Sequence, residues 1–337
     1  MSDIKTNYMG IPLDNPVIAG ASSFTRNLDS IKKIEDAGAG AIVVSSLFEE
    51  QIKLEQYAFD KNIHQYDDWH AEMTTIFPDI DHAGAEEHLK WVRKTKEEVD
   101  IPVIASLNAK YKKSWAAYAK QLEETGVDGL ELNFYSNPED FNTDALAVES
   151  EQEAIVSEIV KNARIPVSVK LSPFYTNPLN LVRKLDNAGV NGVVLFNRFF
   201  QPLFDVEKEQ DKRNYNLSGE NDHRLPLRFT GLLYKNVEAS LCASNGILTG
   251  DNAIEAILAG ADTVQIVSAL YKQGFDAIKT IKERLTSWME QKGYGSINEF
   301  QGKLSRLNNP DPWSYKRAQY VRVLMQSEKY IDNTTLI

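Results

Sequence analysis

Eight apolar runs recur in pairs along this chain, and they constrain its fold more than any other feature of the sequence. Each run is rich in Val, Ile and Leu, as expected for strands of a parallel sheet that is buried on both faces. Within a pair, corresponding positions of the two runs are 24 to 26 residues apart, the length of one strand, one helix and two short loops. The first runs are 16–21, 102–108, 166–172 and 237–244, and the second runs are 40–46, 127–133, 190–197 and 261–269.

Eight strand–helix units in one chain predict an α/β protein with the architecture of a (β/α)8 TIM barrel. The extra chain length falls after the second, fourth and sixth strands, so these insertions should lie at the C-terminal face, where barrel loops carry active sites. A doubly wound open sheet is the alternative. We expect the barrel to span residues 1–274. Residues 275–337 should form a C-terminal helical extension packed on it, because Ile278, Ile281, Leu285 and Met289 recur at intervals of three or four.

Composition excludes several classes of function. The 337 residues are 42% hydrophobic, enough for a large core, and carry a net charge of −11, which disfavours nucleic acid and anionic membranes as partners. We expect a cytoplasmic protein, since no signal peptide or long apolar span stands out. The single cysteine, Cys242, lies inside the seventh run and should be a packed core thiol. The five histidines lack metal-ligand spacing and are interpreted as surface residues, so no metal is expected.

Polar side chains interrupt three neighbouring strands near their carboxyl ends. Asn133, Lys170 and Asn197 close the fourth, fifth and sixth runs. A Lys or Asn is costly to bury there unless a ligand or partner receives its hydrogen bonds. Singly, each has a structural explanation, because a terminal Asn often caps a helix and a Lys often reaches water. Together on adjacent strands they favour a binding site.

The loops after the seventh and eighth runs predict a phosphate-binding site. Asn245 and Gly246 follow the seventh strand, and Ser268 and Ala269 precede a helical stretch after the eighth. Barrels commonly bind phosphate with backbone N–H groups at these two loops. Two ordinary tight turns would explain the same residues. In combination with Lys170, the loops indicate a phosphorylated cofactor.

Taken together, these segments resemble the dihydroorotate dehydrogenases, a family of FMN-containing (β/α)8 barrels. The resemblance covers the chain from about Asn7 to Gly274. It is carried by Asn15-Pro16-Val17, Glu131-Leu132-Asn133, Val169-Lys170-Leu171, Asn197 and the loops of Gly246 and Ser268. A branch of dihydroorotate dehydrogenase-like proteins is the most similar, with helices like those containing Trp288-Met289-Glu290 and Arg317-Ala318-Gln319-Tyr320.

The resemblance implies an oxidoreductase of pyrimidine biosynthesis in which dihydroorotate gives a hydride to flavin N5 while a base takes the neighbouring proton. By its position Ser136 matches the base, and Lys170 matches the lysine that supports the N1/O2 edge of the flavin. Asn133 and Asn197 match the residues that hold the pyrimidine. The implied cofactor contacts are Ala19, Gly20, Ser46, Asn133, Lys170, Ser218, Gly219, Asn245, Gly246, Ser268 and Ala269.

The chain departs from the family at its substrate side. Ser136 is followed by Asn137-Pro138 rather than Pro-Asn, and Ser45 stands where the family has a lysine. An Asn-Ser-x-Gly segment is replaced by residues 57–78, a stretch that contains Trp69, Met73 and Phe77. Lys53 or Arg198 could supply the missing charge. These departures leave three functions open: oxidation of dihydroorotate, the same flavin chemistry on another substrate such as a related dihydropyrimidine, or a non-catalytic flavin-binding role.

The resemblance also bears on partners. The N-terminal residues ahead of Asn7 do not form the amphipathic extension of the quinone-using membrane class, so that class is a poor match. Fumarate or an electron-transfer subunit with an iron–sulfur cluster is the expected electron acceptor, because one cysteine cannot ligate a cluster. The C-terminal helices should cover the barrel wall, with a homodimer contact as the alternative.

Overall fold

Eight parallel strands form a closed barrel in this protein. The computed structural model describes residues 2–50, 85–109, 112–135, 141–212 and 215–326. The strands follow one another around the barrel in chain order, and the eighth pairs with the first through Val264 and Val17. They are β1 (Val17–Ala19), β2 (Ala41–Phe48), β3 (Val103–Asn108), β4 (Gly129–Phe134), β5 (Val167–Leu171), β6 (Gly192–Leu195), β7 (Ser240–Ser244) and β8 (Thr263–Ile266). The predicted (β/α)8 barrel is confirmed, and the open sheet is excluded.

Helices surround the strands. They are α1 (Leu28–Asp36), α2 (Ala85–Glu98), α3 (Lys112–Glu123), α4 (Ala145–Asn162), α5 (Pro178–Asn187), α6 (Arg224–Leu233), α7 (Gly250–Ala259), α8 (Ser268–Gln273), α9 (Asp276–Lys292) and α10 (Ala318–Met325). Several begin at polar caps that satisfy free backbone N–H groups. Asn27 accepts from the N–H of Ser30 at α1, and Thr249 accepts from that of Asn252 at α7.

A short hairpin closes the N-terminal end of the barrel. Its strands, Thr6–Tyr8 and Ile11–Leu13, are antiparallel, and the side chains of Tyr8 and Met9 at its turn are buried in the interior. β6 leaves room for this approach, since a Cβ on Gly192 would lie 2.8 Å from Cγ of Met9. Cys242 packs in the same cluster. Burial raises the pKa of its thiol to about 12, as expected of a core thiol rather than a nucleophile.

Helix α9 packs on α7 and on the barrel wall. Ile278, Ile281, Leu285 and Met289 are all buried, as their spacing predicts for one face of a helix. Leu285 and Met289 join a separate apolar cluster with Phe300. The division of the chain into a barrel up to residue 274 and an extension beyond it stays a prediction, and so does a homodimer contact. Residues 327–337 lie outside the described part of the chain.

The three insertions begin after the carboxyl ends of β2, β4 and β6. The segment after β6 carries a small hairpin, Phe204–Asp205 with Gln210–Asp211. The aromatic stretch 57–78 after β2, with Lys53 ahead of it, lies outside the described residues, and so do residues 136–140 after β4. None of the helices in the described ranges has both the length and the apolar character needed to cross a membrane.

The interpretation of the histidines as surface residues is wrong for the two that can be examined. His88 lies on the inward face of α2 with Ala85, Val92 and Thr95, and burial lowers its pKa to about 4. His223 is also buried, and its Nε2 is 3.0 Å from Oε2 of Glu255. The spacing of α2 places residue 88 on the core side, so helical periodicity determines its burial. The other three, His64, His70 and His82, lie outside the described residues.

Candidate active site

Two adjoining cavities occupy the C-terminal mouth of the barrel. Their volumes are about 340 Å³ and 1060 Å³, the size range of sites for cofactors and small substrates. The smaller lies beside the loops after β7 and β8, and the larger beside β2, β3 and β4. The residues that line both are Ala21, Lys170, Asn197, Phe200 and Tyr215. The two cavities therefore meet at the ends of β5 and β6.

Lys170 provides a buried positive charge at this junction. It projects from β5, is 6% exposed, and donates a hydrogen bond from Nζ to Oε1 of Gln265 on β8 over 3.0 Å. Gln265 in turn donates from Nε2 to Oε2 of Glu131 on β4. The other oxygen of Glu131 lies 3.9 Å from Nζ of Lys170. Three strands thus hold a connected polar chain across the barrel interior.

Two asparagines form the polar floor of the larger cavity. Asn133 pairs in register with Lys170 on the next strand, which places both side chains on the same face of the sheet. Asn197, just beyond β6, donates from Nδ2 to Oδ1 of Asn133 over 2.8 Å. Within the described ranges, the second polar atom of each amide has no hydrogen-bond partner. Nearby, the hydroxyls of Ser46 and Ser106 are hydrogen-bonded over 2.7 Å.

Hydroxyl, amide and guanidinium groups line the smaller cavity. Asn245 and Gly246 have φ angles of 78° and 76°, which turn the chain sharply after β7. Oγ of Ser218 donates to Oδ1 of Asn245 over 2.8 Å, and the N–H of Ser218 donates to Oγ of Ser268 over 2.9 Å. Arg198 lines the same cavity. Hydroxyls, backbone amides and a guanidinium are the groups that bind phosphate in proteins.

The structure brings together most of the residues selected from the sequence. Those that line one or both cavities are Ser46, Asn133, Lys170, Asn197, Ser218, Asn245, Gly246 and Ser268. Ala19, Gly20, Gly219 and Ala269 are not among the lining residues. Ala19 and Ala269 belong to the apolar core. Ser136, the residue selected as base, lies outside the described residues. The functional roles of all these residues stay predictions.

Packing explains why Ala19 and Gly20 miss the cavities. β1 ends at Ala19, and Gly20 packs so closely against the end of β8 that a Cβ there would lie 2.8 Å from Cγ2 of Val267. The first residue after β1 that reaches both cavities is Ala21. Gly219 instead donates its N–H to Oδ2 of Asp222 over 2.7 Å. This hydrogen bond stabilises the loop, and Gly219 does not line the cavity.

Sequence reasoning missed three polar residues at the site. Gln265 and Glu131 contact Lys170 or its partner, and each is a polar residue inside an apolar run, a signal that was available. Arg26 lines the larger cavity together with Ser45, the position where a lysine was expected. Arg198, one of the two candidates for that missing charge, lies instead in the smaller cavity. Its guanidinium contacts Asp222 and donates to Oδ1 of Asn216 over 3.0 Å.

Comparison with known proteins identifies the family. A family model described as Dihydroorotate dehydrogenase matches residues 76–289, more than half of the chain. A protein of Methanocaldococcus jannaschii named "Dihydroorotate dehydrogenase B (NAD(+)), catalytic subunit" is 27% identical over 295 residues, 86% of this chain and 94% of that protein. The protein of the same name from Thermoplasma volcanium is 26% identical over 306 residues, 90% of this chain and 98% of that protein.

The fold and the cavities define a (β/α)8-barrel protein whose polar site lies at the carboxyl ends of its strands, as in barrel enzymes. Within that class, the chain belongs to the dihydroorotate dehydrogenase family. The resemblance inferred from the motifs of β4, β5 and β6 is therefore confirmed.

Proposed function

We propose that the protein is an FMN-dependent oxidoreductase of the dihydroorotate dehydrogenase type, which oxidises a CH–CH bond of dihydroorotate or a related dihydropyrimidine. One observation carries the proposal: the buried ammonium of Lys170 lies where a phosphate-type cavity meets an amide-lined one. FMN joins a phosphate to a ring that accepts a hydride, and this ring is the chemistry that the cofactor supplies when bound.

The residues present fit such a cofactor. A Cβ on Gly246 would lie 2.2 Å from the backbone nitrogen of His223, so only glycine leaves this loop its close approach beside the smaller cavity. Ser218, Asn245, Gly246 and Ser268 would hold the phosphate there. At the junction, the fixed positive charge of the buried Lys170 would stabilise negative charge on the ring edge.

Substrate recognition is assigned to the larger cavity. The amide atoms of Asn133 and Asn197 that have no partner among the described residues suit the alternating N–H and C=O groups of a dihydropyrimidine ring. Ser136 follows β4 closely in sequence and is proposed as the base that takes the substrate proton. A serine needs a neighbouring group that accepts its proton or lowers its pKa.

A flavin-binding paralogue without dihydroorotate activity is the second candidate. The observation that favours it is Ser45, which lines the larger cavity where the family resemblance calls for a lysine. Arg26, rather than a lysine, is the cation that joins Lys170 on the described wall of that cavity. Such a paralogue would act on another substrate or serve a binding or regulatory role.

The relatives also suggest how electrons leave the protein. Both proteins cited above are named catalytic subunits, and their names give NAD(+). We propose that this chain passes electrons to a partner subunit of the same kind, with fumarate as the alternative acceptor. A homodimer, a place in pyrimidine biosynthesis and a cytoplasmic location complete the proposal.

An anaerobic titration tests the proposed function. The purified protein is loaded with FMN, and dihydroorotate is added while the long-wavelength flavin absorbance is recorded. Bleaching supports the dihydroorotate activity, and it should be lost in Ser136→Ala and slowed in Lys170→Met. Lys120→Met, on the exposed face of α3, is the matched control and should bleach like the parent.

The other outcomes separate the alternatives. Bleaching by another dihydropyrimidine but not by dihydroorotate would assign a different substrate to the same chemistry. FMN binding without bleaching by any dihydropyrimidine, with Ser136→Ala identical to the parent, would favour the paralogue. A protein that does not bind FMN would overturn the proposed function.

A further inference from the structure

A charged pair lies in the barrel interior, and an amide joins its members. Glu131 and Gln265 are each 1% exposed, and Lys170 is 6% exposed. Lys170 donates to Gln265 over 3.0 Å, and Gln265 donates to Glu131. The acid–base pair is also in direct range, with 3.9 Å between Nζ of Lys170 and Oε1 of Glu131. Among the described residues, no hydrogen-bond donor contacts Oε1 of Glu131.

The chemistry of these three side chains determines which group donates in each hydrogen bond. An ammonium only donates and a carboxylate only accepts, so the amide of Gln265 must turn its oxygen to Lys170 and its nitrogen to Glu131. Two further titratable side chains face Glu131 from other elements, Tyr8 and Cys242. Burial raises the pKa of both, so both stay neutral near pH 7. Lys170 and Glu131 therefore balance each other in the interior.

The three residues differ in their access to the cavities. Lys170 lines both cavities and Gln265 lines the smaller one, whereas Glu131 lines neither. The carboxylate of Glu131 consequently attracts the ammonium of Lys170 away from the cavities. The amide oxygen of Gln265 holds the ammonium at their junction. A buried charge is stable only when it is paired and hydrogen-bonded, so this arrangement determines both where Lys170 sits and how much of its charge is compensated.

We infer that Glu131 and Gln265 are positioning residues that set the reduction potential of the cofactor through Lys170. The inference rests on the proposed function, because it requires FMN at the junction. Reduction adds negative charge to the ring edge, which the Lys170 ammonium stabilises and the Glu131 carboxylate opposes. Gln265 keeps the ammonium near the ring. Glu131 thus lowers the potential, and Gln265 raises it.

Equilibrium reduction against a reference dye tests the inference. Glu131→Gln keeps the size of the side chain but removes its charge, and the ratio of reduced to oxidised flavin at a given potential should rise about tenfold, or about 30 mV for a two-electron couple. Gln265→Leu should lower the ratio, because Lys170 then pairs directly with Glu131. Glu131→Asp retains the charge and should stay close to the parent. Glu97→Gln, on the exposed face of α2, is the matched control and should not change the ratio.

The two variants with opposite signs keep the inference falsifiable if one of them fails to fold. A raised potential in Glu131→Gln or a lowered one in Gln265→Leu, with FMN still bound, supports the inference. If both variants had the same potential as Glu97→Gln, the hydrogen bonds that link Lys170, Gln265 and Glu131 would have only a structural role. Failure of the parent protein to bind FMN would overturn the proposed function instead, and flavin fluorescence distinguishes this outcome before any potential is measured.

Discussion

Gly246 offers a quantitative test of the loop that we assign to phosphate. The residue has a φ of 76° and forms part of the wall of the smaller cavity, just after β7. A Cβ at this position would lie 2.2 Å from the backbone nitrogen of His223 and 2.6 Å from the backbone carbonyl carbon of Asp222. Because these neighbours are backbone atoms, no change of rotamer can relieve the overlap.

The cost of Gly246→Ala has two parts. A residue with a side chain pays about 1–2 kcal/mol to adopt the left-handed backbone conformation. The overlap forces a backbone shift, and overpacking of this kind costs about 1–3 kcal/mol. We therefore expect the free energy of unfolding to fall by about 2–5 kcal/mol. The displaced loop should also weaken FMN binding.

Two glycines serve as controls for the separate parts. Gly293 ends α9 with φ 75° and has no atom within 4 Å of an added Cβ, so Gly293→Ala should cost only the backbone part, about 1–2 kcal/mol. Gly219 lies in the neighbouring loop without a left-handed φ, and its added Cβ would meet only Oδ2 of Asp222 at 3.9 Å. Gly219→Ala should change stability by less than about 0.5 kcal/mol.

Urea unfolding of the three variants, followed by circular dichroism, gives the free energies. Flavin fluorescence during FMN titration gives the affinities. Our reasoning would be refuted if Gly246→Ala were no less stable than Gly293→Ala, or if the two variants had equal affinity for FMN.

Three further predictions concern the core. Burial lowers the pKa of His88 from 6.5 to about 4, so the unfolded chain binds a proton first as the pH falls; the free energy of unfolding should drop by roughly 3 kcal/mol between pH 6.5 and pH 4, and His88→Gln should lose this part of the pH dependence in urea titrations. Cys242, with its pKa raised to about 12, should resist iodoacetamide at pH 8 in the folded protein and react in urea; mass spectrometry showing rapid labelling of the native state would contradict its burial. Leu122→Ala should destabilise α3 against the barrel by about 2–5 kcal/mol, whereas the exposed Leu307→Ala should change stability by less than about 0.5 kcal/mol; equal losses in thermal melts would show that burial does not govern the difference.

The strands were predictable because the strands of a parallel barrel have a simple sequence pattern. Both faces of each strand are buried, so the strand appears as a continuous apolar run, and every one of the eight predicted runs overlaps an observed strand. Polar residues near the ends of such runs were informative for the same reason. Asn133, Lys170 and Asn197 stand out in apolar surroundings, and the structure brings all three to one hollow.

The contacts among the polar residues of the site could not be predicted from the sequence. Gln265 and Glu131 are separated by 134 positions and meet only because the barrel closes. The spacing of residues in the sequence does not indicate that they pair. Ala21 lines the cavities in place of the predicted Ala19 and Gly20 because of where β1 ends. Periodicity does not define that boundary to within two residues. The partners of Arg198 depend on the loop after β6, whose length gives no information about its path.

The hairpin of Tyr8 and Met9 fills one end of the cylinder of strands, and both cavities described above lie at the other end. If substrate and oxidant both have to reach Lys170 through that end, they must use it in turn. With fumarate as the oxidant, product would then depart before the oxidant arrives, whereas electron transfer to a partner subunit would not require this order. Alternating kinetics, with parallel lines in double-reciprocal plots, would then be a consequence of a β-hairpin at the opposite end of the barrel.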